Sequence, residues 1–235
     1  FNLDLSKKFN SKNIDKILKK RKLKEIWLLA SNSDIGKGIQ NSYLDLNNTF
    51  LTTINSLEIL KPYLKKNTKI LFTSTSAIYG NVSKPISESN TVLNPISNYG
   101  SMKLASEVYI SSYSHLNNLK AIIFRFPNVV GKNLTHGLLY DMKKKINSKK
   151  KFLQVLGNGE QQKPYSHVNE ILKCMIYVKK KKLIKNLNVF NIGNSDKGMK
   201  VKDIVKIMHN KYKSKKVIKY EKKDIGWKGD VPNYR

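Results

Sequence analysis

The chain has 235 residues, 40% of them hydrophobic, and a formal net charge of +29. It has no apolar run long enough to span a bilayer, no signal-peptide pattern at its start, one cysteine (Cys174), and four histidines (His115, His136, His167, His209) without metal-ligand spacing. A disulfide framework, a membrane-spanning helix and a metal centre are set aside on these grounds, and a cytoplasmic protein is expected.

In chain order, residues 2–5 read as a strand and 13–20 as a helix. A strand over 25–30 leads to a long helix over 44–61, and a strand over 69–74 leads to a helix over 99–117. Further strands are expected at 121–126, 152–155 and 188–192, with helices at 138–147, 169–180 and 201–212. The runs 26–30, 70–72 and 121–124 are almost continuously apolar instead of alternating. That pattern marks strands covered on both faces, so the expected fold class is α/β with a parallel, doubly wound sheet. Beyond about residue 127 the elements shorten, which suggests a smaller lobe facing a substrate.

Two segments carry candidate chemistry. Tyr99-Gly-Ser-Met-Lys103 starts a helix, and its spacing puts both side chains on one face. A lysine ammonium beside a phenol favours the phenolate, so Lys103 is expected to lower the Tyr99 pKa and make it a usable base. Read alone, the pair is by default an exposed helix pair. Upstream, Phe72-Thr-Ser-Thr-Ser-Ala-Ile-Tyr-Gly80 leaves the C-terminal end of a buried strand, where ligands bind in open α/β sheets. Its Thr75 hydroxyl is suited to hold the same oxygen that Tyr99 deprotonates. The plain alternative is a serine/threonine turn closing the strand.

With these segments in place, the sequence resembles the extended short-chain dehydrogenase/reductase superfamily. The resemblance is to its NAD-dependent nucleotide-sugar epimerase/dehydratase branch, similar to UDP-glucose 4-epimerase, and it runs in order through essentially the whole chain. It implies a Rossmann-like NAD-binding domain over residues 1–130, to which 188–192 returns, and a mainly substrate-binding lobe over 131–235. Thr75, Tyr99 and Lys103 match the catalytic set. Leu28-Leu-Ala-Ser-Asn-Ser-Asp34 looks like the segment beside the dinucleotide, so Leu29, Ala30 and Ser31 are implied cofactor contacts. Asp4, Asn48, Thr73 and Phe126 complete that set, together with Tyr99 and Lys103. Asn128 in Arg125-Phe-Pro-Asn-Val-Val-Gly131, Lys163 and Tyr165 in the segment 157–168, and Asp230 in the segment 226–232 are the implied contacts to a nucleotide-diphosphate sugar. A homodimer through the helices at 44–61 and 99–117 is implied as well.

The departures are as specific. The glycine-rich turn that seats a pyrophosphate at a helix N-terminus has no counterpart in residues 1–40, nor is there an acidic residue ending a second strand. Residues 2–5 then correspond to the third strand of the family. On that reading a strand-helix-strand unit of about 30 residues or more is missing upstream. Both ends read as cut, because the chain begins with Phe1 and stops without a terminal helix. In a sheet ordered 3-2-1-4-5-6 the fourth strand would be left with an open apolar edge. The fragment alone is expected to bind NAD poorly, to aggregate and to be inactive. Lys163 and Ile225 stand where relatives carry arginine, which removes a bidentate grip on phosphate.

The implied chemistry is transient oxidation of the sugar 4-hydroxyl to a 4-keto sugar. Dehydratases need an extra acid for the departing hydroxyl, and this chain has Ser76-Ala77 where they carry a carboxylate. Epimerisation at C4, of the UDP-glucose/UDP-galactose type, is therefore favoured. A sister dehydratase or reductase and a non-catalytic nucleotide-binding member remain alternatives. The charge suggests a fourth reading, a polyanion binder. Arginine, however, occurs only at Arg21, Arg125 and Arg235, while lysines cluster at 143–145, 149–151 and 179–182. Specific nucleic-acid surfaces rely on arginine, so the lysines read as a solvated surface.

Overall fold

The computed structural model describes residues 3–7, 12–19, 21–82, 85–194 and 196–226. Helix α1 (Lys12–Leu18) precedes strand β1 (Glu25–Leu28). Short helices α2 (Ile35–Gln40) and α3 (Ser42–Asp45), a π-helical stretch (Leu46–Leu51) and α4 (Thr52–Leu60) lead to β2 (Lys69–Thr75). A 3-10 turn (Ser76–Tyr79) follows, and α5 (Asn98–Leu116) returns the chain to β3 (Lys120–Phe126). The remainder runs β4 (Asn128–Val130), α6 (Leu138–Ile146), β5 (Phe152–Val155), β6 (Gln162–Lys163), β7 (Tyr165–His167) and α7 (Val168–Lys179). It closes with β8 (Leu187–Asn191), β9 (Met199–Lys200), α8 (Val201–Lys211) and β10 (Val217–Tyr220). No helix of the described residues is long and apolar enough to cross a membrane.

The main sheet is parallel throughout, in the order β1-β2-β3-β8. Successive residues of a strand point to opposite faces, and here both faces are covered. Ile70, Phe72, Ala121 and Ile123 pack with Leu57 of α4 and with Ile110 and Tyr113 of α5. Leu71, Ile122 and Phe124 pack on the other face with Ile171 and Met175 of α7. This two-sided burial is why those strands read as continuous apolar runs. Each fully buried aliphatic or aromatic side chain is worth about 1.5–3 kcal/mol over an exposed one. A separate core joins Met142 and Ile146 of α6, Leu153 and Val155 of β5, and Ile204, Val205 and Met208 of α8. Beside it β5 pairs with β10, β4 with β7, and β6 with β9.

Two expectations are corrected. Residues 3–5 form no strand: Asp4 Oδ1 accepts from Ser6 N at 3.1 Å and Ser6 Oγ at 2.6 Å, so the chain turns on its own side chain. Among the described residues β1 is thus an edge strand with β2 as its neighbour. The single helix expected over 44–61 is broken in type. Asn41 caps α3 through Tyr43 N at 3.1 Å, and the backbone then widens because Thr52 sends both its N–H and its hydroxyl to the Asn47 carbonyl.

Candidate active site

The site forms where β2 ends. Thr75 finishes the strand and caps the following 3-10 turn, its hydroxyl accepting from Ala77 N at 3.2 Å. Ser97 caps α5 by accepting from Gly100 N at 3.2 Å, which places Tyr99 in the first turn of that helix. Gly100 lets the two segments meet. A Cβ there would lie 2.9 Å from the Ala77 carbonyl oxygen and 3.0 Å from the Pro95 ring. The Tyr99 and Thr75 side chains both face the cleft, and the Thr75 hydroxyl favours the ionised phenol. One turn further along α5, Lys103 is 2% exposed and donates to the Thr73 carbonyl at 2.6 Å. Its ammonium sits over the Phe72 ring at 4.8 Å and 5.9 Å from the Tyr99 ring centre.

The electrostatics overturn one expectation. Burial pushes the Tyr99 phenol up to about 12, with the Thr75 hydrogen bond opposing and the charge of Asp45 adding to the rise. Burial also pushes Lys103 down to about 7, against the attraction of Glu107. The Lys103 charge does not offset that rise at Tyr99. Desolvation dominates both groups, and the lysine points at the Thr73 carbonyl.

Beneath the pair lies a buried polar chain that the sequence did not announce. Arg125 of β3 holds Glu107 of α5 through Nη2–Oε2 at 2.6 Å and Nε–Oε1 at 3.1 Å, with side chains 7% and 5% exposed. Ser74 donates to the same carboxylate, Arg125 Nη1 donates to the Tyr79 hydroxyl at 2.8 Å, and Tyr79 donates to Asn191 at 2.7 Å. This chain ties β2, β3, β8 and α5 together under Thr75 and Lys103.

Above them opens a cleft of about 720 Å³ between the sheet and the lobe. Thr75, Tyr99, Phe126, Asn128, Lys163 and Tyr165 all line it. Asn128 donates to the Pro164 carbonyl at 3.3 Å. Leu29 and Ala30 lie exposed just past β1, and Ser31 is half-buried beside them. Thr73 meets Lys103 through its carbonyl. Asn48 stands outside the cleft lining, its carbonyl accepting from Asn32 N at 3.1 Å. Asp4 is exposed and also outside the lining. Asp230 lies outside the described residues. Sequence reasoning missed Gln161, which lines the cleft at 3% exposure with neither amide atom hydrogen-bonded. It also missed the cleft carboxylates Asp34 and Asp141, and the fully buried Asp45. Nothing in their local spacing sets these residues apart; burial and pairing do.

Comparison with known proteins agrees with this layout. The family model described as GDP-mannose 4,6 dehydratase matches residues 3–228. A UDP-glucuronate 4-epimerase of Thermodesulfobacterium geofontis is 23% identical over 200 residues, covering 84% of this chain and 60% of that protein. The chain spans about three fifths of the length of the curated relatives it matches first. Among solved structures, a UDP-galactose 4-epimerase aligns with a TM-score of 0.80 at 24% identity, covering 97% of this chain and 70% of that one. The UDP-glucuronic acid 4-epimerase of Bacillus cereus, in complex with UDP-glucuronic acid and NAD, aligns at 0.77 with 22% identity, covering 98% and 70%. At these identities the structural likeness speaks for the fold.

Proposed function

The chain belongs to the GDP-mannose 4,6 dehydratase family, and from that membership we propose that it carries the acid–base site of a nucleotide-sugar 4-epimerase. The family lies among the NAD-dependent nucleotide-sugar epimerases and dehydratases of the short-chain dehydrogenase/reductase superfamily. The observation that carries the reading is that Thr75 at the strand end and Tyr99 at the helix start line the same cleft, with buried Lys103 one helical turn further along α5.

NAD is the proposed cofactor, and two features fit it. Lys103 has three donors and spends one on Thr73, which leaves two for a ribose diol. Leu29 and Ala30 leave an open apolar shelf at the C-terminal end of β1, the side on which open α/β sheets bind ligands. When bound, NAD supplies the means to take up hydride and return it. Tyr99 oxygen is the proton acceptor for the sugar 4-hydroxyl and donates the proton back after the 4-keto sugar has turned. Thr75 orients that oxygen, and Lys103 binds the cofactor ribose and, once protonated, favours the phenolate.

The substrate is a nucleotide-diphosphate sugar of the UDP-glucose/UDP-galactose type. Lys163 is assigned to the diphosphate and Asn128 and Tyr165 to the remainder of the ligand, a reading supported by all three lining the cleft, while the unmet amide of Gln161 offers a donor and an acceptor in its wall. The dehydratase alternative needs an acid at the leaving hydroxyl. Next to Thr75 the chain offers Ser76 and Ala77, Asp34 caps α2 by accepting from Lys37 N at 3.2 Å, and the remaining cleft carboxylate, Asp141, lies on α6 of the lobe. The positive charge suits an anionic ligand. We place the protein in the cytoplasm, and as a homodimer through the apolar groove between the π-helical stretch and α5, where Phe50, Leu104, Val108 and Tyr109 lie.

The test is product analysis of the full-length gene product with UDP-glucose and NAD. Appearance of UDP-galactose supports the reading. A 4-keto-6-deoxy sugar establishes the dehydratase instead, and binding without conversion establishes a non-catalytic member.

A further inference from the structure

Two stretches of the lobe carry lysine without any acid. Residues 142–159 and residues 204–220 hold six lysines each and no aspartate, glutamate or arginine. The fold brings them together: β5 and β10 run parallel with Phe152 opposite Val217, and α6 and α8 share one core. The loop of residues 147–151 that enters β5 and the loop of 212–216 that enters β10 therefore lie side by side. Lys216 ties them, its Nζ donating to the Lys145 carbonyl at 2.8 Å and to Ser148 Oγ at 3.1 Å. His209 Nε2 meets the Lys216 carbonyl at 2.9 Å, which holds the second loop to α8. Lys213 takes the left-handed backbone, φ 47°, that a helix end ordinarily gives to glycine.

The two loops form one basic tip, around which Lys149, Lys150, Lys151, Lys211, Lys213 and Lys215 are all exposed. Lysines elsewhere are matched: Glu160 holds Lys200 and Lys202, and Glu25 holds Lys179. Where the loops enter the strands, Phe152 is 45% exposed and Val217 59%. As register partners their side chains share the outer face, opposite to Leu153 and Ile218 in the core. Lys219 Nζ lies 3.6 Å from the centre of the Phe152 ring. None of residues 147–152 or 211–219 lines the cleft, so the tip is separate from the ligand site.

We propose that this tip docks the protein on the surface of an anionic lipid bilayer. Clustered ammonium groups are drawn to the negative potential of acidic headgroups, and an exposed apolar pair among them supplies the second anchor that charge alone lacks. Phe152 and Val217 are that pair. The lysine stems lie along the apolar boundary while their charged heads stay among the headgroups. A nucleic acid fits the tip less well. No arginine is present to fork onto a phosphate or a base edge, and one face of the Phe152 ring is taken by Lys219 instead of lying open to a base. The inference stands apart from the reading of Tyr99, because no residue of the tip enters the cleft.

The experiment is co-sedimentation of the full-length gene product with vesicles of phosphatidylcholine, alone or with about one quarter phosphatidylserine. Binding is expected to the mixed vesicles only, and high salt should release it. Lys150→Ser, Lys151→Ser and Lys213→Ser together should weaken it by about one hundredfold. Phe152→Ser should weaken it by roughly tenfold. Lys180→Ser, Lys181→Ser and Lys182→Ser remove the same charge just past α7 and should leave binding within a few fold of the parent. No binding to the mixed vesicles, equal binding to phosphatidylcholine alone, or an equal loss in both triple variants overturns the proposal. Preferential capture by single-stranded RNA of mixed sequence, in competition with the mixed vesicles, overturns it as well. If a variant fails to fold, lysine acetylation of the unsubstituted protein, mapped by mass spectrometry, decides. Mixed vesicles should shield Lys150 and Lys213 and leave Lys181 reactive, whereas unchanged labelling of the tip overturns the proposal.

Discussion

Tyr99 in the first turn of α5 and Thr75 at the end of β2 line the same cleft, so the helix start meets the strand end there. The elements come together there because Gly100 has no side chain to keep the Ala77 carbonyl away. Tyr99 is half-buried, and desolvation holds the proton on its phenol more tightly than on a free one. Its chemistry depends on charges brought to it, and that dependence shapes the predictions.

Lys103 should make stability depend on pH. Its folded pKa of about 7 lies below the ordinary value of 10.5, so the unfolded chain binds more protons between those two values. Stability from this group therefore rises as pH increases from about 7 towards 10. Lys103→Met should melt at a higher temperature than the parent at pH 6, with the difference shrinking by pH 10. Parallel thermal melts at the two pH values check this, and a constant difference would count against a buried, deprotonating lysine.

Glu107→Gln should destabilise the fold strongly. It leaves Arg125 buried beside a neutral partner, and breaking such a pair typically costs about 3–5 kcal/mol. Urea unfolding measures the loss. A change within about 0.5 kcal/mol would mean that the pair is solvated.

These features were unequally legible in the sequence. The sheet was legible because Leu71 and Phe72, like Ile122 and Ile123, are buried on opposite faces and so appear as unbroken apolar runs. The Tyr99–Lys103 spacing was legible because a helix turn repeats. Residues 3–5 were misread as a strand, since a short run with two leucines does not reveal that Asp4 turns the chain onto Ser6. The protonation of Tyr99 and Lys103 was misread for a deeper reason. Charge adjacency is visible in spacing, but desolvation belongs to the packed molecule, and here it outweighs the pairing. Gln161 and Asp45 drew no notice because an unmet hydrogen bond exists only after folding.

Gln161→Leu should separate binding from folding. Neither side-chain amide atom is hydrogen-bonded, so an apolar replacement of similar size should leave stability unchanged or raise it. Affinity for UDP, measured by calorimetry, should fall by roughly tenfold, the equivalent of one lost hydrogen bond. Equal affinity in both proteins would remove Gln161 from the ligand site.

The central claim, that Tyr99 moves the proton at the sugar 4-hydroxyl, is tested most directly by steady-state epimerisation with Tyr99→Phe in the full-length gene product. The account predicts a drop in kcat on the order of 10²–10⁴-fold with substrate affinity nearly unchanged. Turnover within a few fold of the parent would contradict it and move the acid–base role to another group in the cleft.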